Sequence, residues 1–543
     1  MNCRSLTLFT AFVWSNAALA AAQTTVDVIY GDGVNDRFGE AVAFVGDLNH
    51  DGMADFAVGS PGDDDAGSNS GSVRVYSGAD RSVLFRWDGP SAGAALGTSV
   101  AGAGDVDLDG YDDVIAGAPG AGQALVYSGQ TGAVIYSPSP GGVGFFGTSV
   151  AGLGSVDGDA WPDFAVGTVW GAGLWVYSGQ DGSVLWNATD VTRALSPAGD
   201  IDGDGIEDVI GGDQLQTDPW CGEYDGRATV YSGLNGAVIR EHLGQGCYGD
   251  HLGAGVCGLG DVNGDGRDDY AVGGPHFPFL HPWTDAFVRV YSGVNGQVIH
   301  QIEGGMDTDF GYDVASAGDL DFDGVEDLVV SRPGAVFSSG STGQLRVYSG
   351  RTGQHLGTFP GGHRDALSVD GGGDADGDGF LDMLCGSPED ATMGLDAGRV
   401  SIYTLGCLGG AVYNYCDAAT NSTGSPARMH WQNTTSISAN NFRLYTTEVP
   451  ANQFGLFFYG GTENYVPFGE GNLCIGGPFF RLGVVNSGPA GQPSKQVDFT
   501  NPPGASGQIS ASETWFFSLW FRDPSGGPAG FNFADGLRAT FCP

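Results

Sequence analysis

A nine-residue, aspartate-rich motif recurs seven times along this chain and restricts what it can fold into more than any other feature. It reads DLNHDGMAD from Asp47, DVDLDGYDD from Asp105, SVDGDAWPD from Ser155 and DIDGDGIED from Asp200. It continues as DVNGDGRDD from Asp261, DLDFDGVED from Asp319 and DADGDGFLD from Asp374. Successive copies start 58, 50, 45, 61, 58 and 55 residues apart, a spacing that belongs to repeat architectures. Every copy sits in the same frame. A small-residue strand such as 97–102 precedes it and a buried-type strand such as 113–118 follows it. A third strand then ends in Val-Tyr-Ser-Gly, as at 126–129, 290–293 and 347–350, and a Gly-containing turn leads to a fourth. Four short strands per repeat, seven times over, predict an all-β, seven-bladed β-propeller, with a solenoid as the rival.

The two ends of the repeat region favour closure. The seventh repeat supplies only three strands, the last at 399–404. Residues 25–31 read as an orphan fourth strand ahead of the first repeat, so pairing the two would close the ring and remove the open edges a solenoid leaves.

Phe38-Gly39, Leu96-Gly97, Phe146-Gly147, Leu252-Gly253 and Phe310-Gly311, with Gly117-Ala118-Pro119 behind a motif, make residues 24–406 resemble FG-GAP repeats. That family forms the seven-bladed propeller of integrin α-subunits and occurs in secreted bacterial proteins. The resemblance implies calcium in the aspartate loops and a role in extracellular adhesion or recognition. Two repeats depart from it, with Arg193-Ala194 and Asp365-Ala366 where Phe-Gly is expected.

The loops themselves have cation chemistry. Acidic side chains at positions 1, 3 and 5, a backbone carbonyl at 7 and a carboxylate at 9 can surround one Ca²⁺, and Gly at position 6 allows the sharp turn. Six copies are intact: Asp47, Asn49, Asp51 and Asp55; Asp105, Asp107, Asp109 and Asp113; Asp200, Asp202, Asp204 and Asp208; Asp261, Asn263, Asp265 and Asp269; Asp319, Asp321, Asp323 and Asp327; Asp374, Asp376, Asp378 and Asp382. The third copy is degraded, with Ser155 at position 1 and Ala160 at position 6, but keeps Asp157, Asp159 and Asp163 for a weakened seventh site. The competing reading is that these aspartates only form Asx-turns. Magnesium suits a loop of five or more protein oxygens less well than the larger Ca²⁺. Strands rather than helices flank the motif, which excludes an EF-hand.

Charge agrees with this reading. The net charge is −43, from 21 Lys and Arg against 64 Asp and Glu. Of those 64, 25 stand at ligand positions of the seven loops, where they would repel one another without a cation. Such a chain should not bind nucleic acid. Disorder is excluded by the 41% of apolar residues. Residues 1–22 read as an export signal, with Arg4, a short apolar run and Ala18-Leu19-Ala20, and no later segment reads as a membrane span. A secreted or cell-surface location follows, in which the cysteines can pair.

Partner recognition is expected on the loops opposite the aspartate loops. The insertions at 213–226 and 275–286 and the connection between them bring Trp220, Tyr224, Tyr248, His276, Phe277 and Trp283 to one rim of blades four and five, with Cys221 and Cys247 able to staple it. Exposed aromatics beside polar groups suit a glycan or a protein. The alternative is that the rings pack on each other to hold long loops. Asp63-Asp64-Asp65 reads as a solvated tip, and Cys257 and Cys385 as small buried thiols. Residues 407–543 differ in composition from the repeats and read as a smaller β-sandwich-like domain, with three possible pairings of Cys407, Cys416, Cys474 and Cys542. No GxSxG, HExxH or other nucleophile motif appears, so a non-enzymatic recognition protein is expected ahead of a lectin, and both ahead of a polysaccharide hydrolase or lyase.

Overall fold

The computed structural model describes residues 24–541 apart from 142–143, 170–172, 218–223, 245–248, 276–284, 306–308, 322, 334–341, 364–366, 378–379, 405–411, 417, 433–434, 436, 438–439 and 511–512. The 1–22 segment, Cys221, Cys247, Cys407, Cys542, Asp365, Ala366 and Asp378 lie outside the described residues.

Residues 24–404 form seven antiparallel four-stranded sheets. Six are built in chain order, as in blade 2 from Ser99–Gly104, Asp113–Ala118, Gln123–Tyr127 and Val134–Tyr136. The second strand of each blade is a buried run, fully so at Asp113–Ala118, because neighbouring blades cover both its faces. In the seventh blade Ser368–Gly373, Asp382–Ser387 and Arg399–Thr404 are completed by Thr24–Tyr30, which pairs antiparallel with Arg399–Thr404 from Thr24↔Thr404 to Tyr30↔Arg399. The innermost strands touch in cyclic order, the seventh meeting the first. The fold is therefore a closed seven-bladed β-propeller.

The glycines explain how the blades lock together. In blade 2 the Gly97 N–H donates to Gly117 O of the same blade at 3.0 Å, and Gly97 has φ +87°. The α-carbon of Gly59 in blade 1 lies so close that a Cβ there would stand 2.0 Å from Gly97 O. The same approach recurs for Gly117 on Gly147, Gly212 on Gly253 and Gly273 on Gly311, and it closes the ring with Gly386 on Gly39. A Cβ on Gly97 would meet Ser72 O at 2.4 Å and the Gly59 α-carbon at 2.8 Å. Gly97→Ala is therefore expected to lower the unfolding free energy by roughly 2–3 kcal/mol, from left-handed strain plus overpacking, read as a shift in the urea midpoint.

A second lock lies further out. The fourth strand of one blade sends a side chain onto the Val-Tyr-Ser-Gly turn of the next. Trp87 stacks on Tyr127 at 4.1 Å and donates to Gly132 O at 2.9 Å. Trp186 donates to Gly233 O, Tyr136 to Gly179 O, and His242 stacks on Tyr291 at 3.9 Å.

The innermost strands surround a channel of about 940 Å³ lined by Glu40, Glu207, Asp268, Asp313, Glu326 and Asp370, with Arg193 as a basic lining residue. Here carboxylates tie blade to blade. Asp370 in blade 7 accepts the Phe44 N–H of blade 1 at 2.8 Å, and Asp313 accepts the Val369 N–H at 2.9 Å. Burial pushes the Asp370 carboxyl up to about 7, with the nearby Asp313 adding to it and the Phe44 and Gly371 N–H groups opposing it. A raised carboxyl binds its proton more tightly in the folded than in the unfolded chain, so its contribution falls as pH rises from about 4 to about 7. Asp370→Asn should flatten that fall by up to one proton's worth of slope, seen as urea midpoints of parent and variant converging towards low pH; parallel profiles would contradict it.

Residues 412–541 form a second all-β unit. Strands Val412–Cys416, Gly536–Thr540, Thr514–Arg522, Phe454–Gly460 and Phe480–Asn486 lie in that order in one sheet, with Phe531–Phe533 added to Thr514–Arg522. A three-stranded sheet of Arg428–Gln432, Arg443–Thr447 and Ser494–Gln496 faces it, and Met429, Phe442, Leu444, Phe457, Phe517 and Phe541 share one core between them. Cys416 and Cys474 form a disulfide, while Cys257 and Cys385 are buried and outside any disulfide. No described helix is long and apolar enough to cross a membrane.

Candidate metal centre

Each aspartate loop joins the first and second strands of its blade, and in the intact loops the described residues at positions 4 and 6 are left-handed. At position 6, Gly52, Gly110, Gly205, Gly266 and Gly324 have φ from +85° to +96°. A Cβ at these glycines would meet nothing within 4 Å, so the dihedral alone demands glycine there. At position 4 the same region is taken by glycines in most loops and by His50 and Leu108 in the first two. Ala160 of the third loop does not adopt it, so that loop follows a different path.

This wrap turns the early N–H groups inward onto the first carboxylate. Asp105 accepts from Asp109 N and Gly110 N, both at 2.9 Å, and Asp47, Asp261 and Asp319 accept the equivalent pairs. Positions 3 and 5 each accept from the residue two further on, as Asp107 does from Asp109 and Asp109 from Tyr111. Asx-turn bonding is thus present, but it leaves further carboxylate oxygen lone pairs free to converge. In four loops the oxygens at positions 1, 3 and 9 lie within 4.8 Å of one another: Asp105, Asp107 and Asp113; Asp200, Asp202 and Asp208; Asp319, Asp321 and Asp327; Asp374, Asp376 and Asp382. Those are the four loops with a carboxylate at all three positions; Asn49 and Asn263 stand at position 3 of two others and Ser155 at position 1 of the third. The spacing matches oxygens on opposite sides of one Ca²⁺ at about 2.4 Å each. Position 5 is turned partly aside: Asp51 and Asp265 accept from Ser77 and Ser292, and Asp323 pairs with Arg351 at 2.9 Å.

Position 9 does something the motif alone does not reveal. Asp55, Asp113, Asp163, Asp208, Asp269, Asp327 and Asp382 are all fully buried. One oxygen accepts the N–H of position 2, from Leu48, Val106, Val156, Ile201, Val262, Leu320 and Ala375 respectively, at 2.7–3.0 Å. In blades 1 to 6 the other accepts the N–H of the Val-Tyr-Ser-Gly glycine, at Gly78, Gly129, Gly179, Gly233, Gly293 and Gly350. In blades 1 to 6 the ninth aspartate therefore staples the loop to the turn after the third strand, in the degraded third blade as in the other five. Burial pushes the carboxyls of Asp55, Asp163, Asp208 and Asp269 up to about 6, Asp113 to about 7 and Asp327 to about 8, partly opposed by these N–H donors. Buried carboxylates raised by desolvation and by their acidic neighbours are short of positive charge, and a divalent cation would supply it. The oxygen-only donor set, its convergence and this charge imbalance fit Ca²⁺.

The rim of blades four and five is only partly described. Tyr224 is exposed, 42%, with its ring centroid 6.2 Å from that of His251. Trp220, Tyr248, His276, Phe277 and Trp283 lie outside the described residues. One expectation needs correcting: Asp63 is not a solvated tip. It is buried, accepts from Ser72 Oγ at 2.6 Å and pairs with Arg86 at 3.1 Å, because the loop folds back over the blade; Asp65 also reaches Arg86.

A closed propeller whose blades interlock through Phe-Gly and Gly-Ala-Pro glycines and carry aspartate loops is the class that fold and site define. The FG-GAP repeat family model matches at residues 38–76, 96–136 and 310–348. Integrin alpha-8 of Gallus gallus is 39% identical over 110 residues, 18% of this chain and 10% of that protein. Integrin alpha-IIb of Homo sapiens is 40% identical over 108 residues, 19% and 10% of the two chains, and integrin alpha pat-2 of Caenorhabditis briggsae 29% over 233, 36% and 18%. The matches span between a tenth and a fifth of those relatives' length. The chain carries an integrin alpha-like FG-GAP β-propeller.

Proposed function

We propose that this protein is exported and acts outside the cell as a calcium-stabilised, non-enzymatic recognition or adhesion protein. Residues 1–22 direct export, 23–406 form the propeller and 407–543 a separate β-rich domain. Six aspartate loops hold Ca²⁺, with the third a weakened seventh, and the ion fastens each first-to-second-strand hairpin. The observation that carries the reading is the convergence of carboxylates in loops of an integrin alpha-like FG-GAP propeller. The face opposite the loops, including the rim around Tyr224, is then free to meet an extracellular protein.

The test immobilises the full chain and probes it with purified extracellular-matrix proteins and with cells, in millimolar calcium and after chelation. Binding that needs calcium is the expected result. Turnover of a polysaccharide by the chain, or matrix binding indifferent to chelation, would overturn the reading.

A further inference from the structure

The second β-unit contains a small pocket unconnected with the aspartate loops. Strands Thr462–Phe468 and Gly471–Gly476 form a hairpin that, among the described residues, pairs with no other strand. Such a hairpin is marginal alone, yet this one is fastened at both ends. At its base Cys474 is bonded to Cys416, and the Tyr415 hydroxyl donates to Cys474 O at 2.5 Å. At its tip the Glu470 carboxylate accepts the Ala529 N–H at 2.8 Å and the Glu470 N–H donates to Phe531 O. Between hairpin and disulfide lies a cavity of about 240 Å³ lined by Tyr415, Cys416, Glu463, Asn464 and Tyr465.

The lining is a mixed one. Tyr465 is 62% exposed, and its hydroxyl is held by Asn472 Nδ2 at 3.1 Å, so the ring is presented rather than folded onto the core. Next to it the exposed Glu463 carboxylate accepts no hydrogen bond from the described residues, and Asn464 offers an amide with both a donor and an acceptor. The volume falls below the ~300–1,000 Å³ of sites for drug-sized ligands, which leaves room for a single ring. A purely apolar ligand would bury the carboxylate unpaired. An acidic one would meet Glu463 and the net charge of −43.

We infer that this pocket binds one residue of a neutral or amino sugar, with the apolar face of the ring on Tyr465 and its hydroxyls on Glu463 and Asn464. A pyranose has both faces of chemistry that the lining asks for: C–H groups for the aromatic ring and hydroxyl donors for a carboxylate that lacks them. The inference goes beyond the proposed propeller function and does not depend on it.

The full chain is screened against an array of neutral, amino and acidic mono- to tetrasaccharides, and hits are titrated calorimetrically. Saturable binding to neutral or amino sugars is expected. Tyr465→Ala should weaken it by on the order of tenfold or more and Glu463→Gln by on the order of tenfold. Both variants should melt with the parent because both side chains are exposed. Chelation at a temperature where the fold survives should leave the affinity unchanged, which separates this site from the aspartate loops. No binding at millimolar sugar, binding confined to acidic glycans, or full affinity in Tyr465→Ala would overturn the assignment.

Discussion

Exhaustive chelation is expected to lower the melting temperature of this protein by at least about 10 °C relative to millimolar calcium. The size follows from mass action. A ligand at a hundred times its Kd, bound only by the folded state, adds about 2.7 kcal/mol per site, and six intact loops carry the oxygens to do so. The bare loops start from a deficit, because the ninth carboxylates are buried beside other aspartates and are pushed up as far as about 8 at Asp327. A cation removes that penalty as well as bridging the loop. Differential scanning calorimetry of one sample with added calcium, with chelator, and with calcium restored reads the effect directly. Equal concentrations of magnesium should restore less, since the loops offer protein oxygens in numbers that suit the larger ion. An unchanged melting temperature after chelation would remove calcium from the account.

Blade number and metal-loop position are legible in the sequence because both are local and repeated: the nine-residue motif has the same neighbours seven times. The closing strand is legible by counting, since three strands at 368–404 and one at 24–30 make a fourfold set. What holds blades to each other is not legible, because the locks pair residues some 30 to 60 positions apart, and more than 300 apart where the ring closes. Gly59 looks like an ordinary small residue until its α-carbon is seen against Gly97 O, and Trp87 looks like a surface aromatic until it reaches Gly132 O. Asp63 misleads for a similar reason: its partners, Ser72 and Arg86, are brought in by the strands that follow. In the second unit the sheet order sets Val412–Cys416 beside Gly536–Thr540, a pairing across more than a hundred residues that alternating hydrophobicity does not encode. The ninth aspartate did leave a trace. The third motif has lost position 1 and the glycine at position 6, yet retains Asp163, which is what a role apart from the metal would require.

That role gives the second prediction: Asp163→Ala should cost about 3–4 kcal/mol, and nearly all of that cost should persist in chelator, because the third loop is the weakened site. Asp163 is fully buried and accepts Val156 N–H at 2.7 Å and Gly179 N–H at 2.9 Å. Hydrogen bonds to a charged group contribute ~1.5–3 kcal/mol each, and alanine leaves both donors buried without a partner. Desolvation of the carboxylate, whose carboxyl is pushed up to about 6, offsets part of the sum. Asp163→Asn keeps one accepting oxygen but sets an amide N–H against the other donor, so it should cost about half as much. Asp113→Ala is the counterpart in an intact loop. It breaks the same two bonds, to Val106 and Gly129, and also takes away a carboxylate that converges with Asp105 and Asp107. Its cost should therefore be greater in calcium than in chelator, by a wider margin than that of Asp163→Ala. Urea midpoints for the two variants in both conditions give the four numbers needed. A loss at Asp163 that disappears on chelation would assign the residue to the metal and not to the staple between the loop and the turn after the third strand.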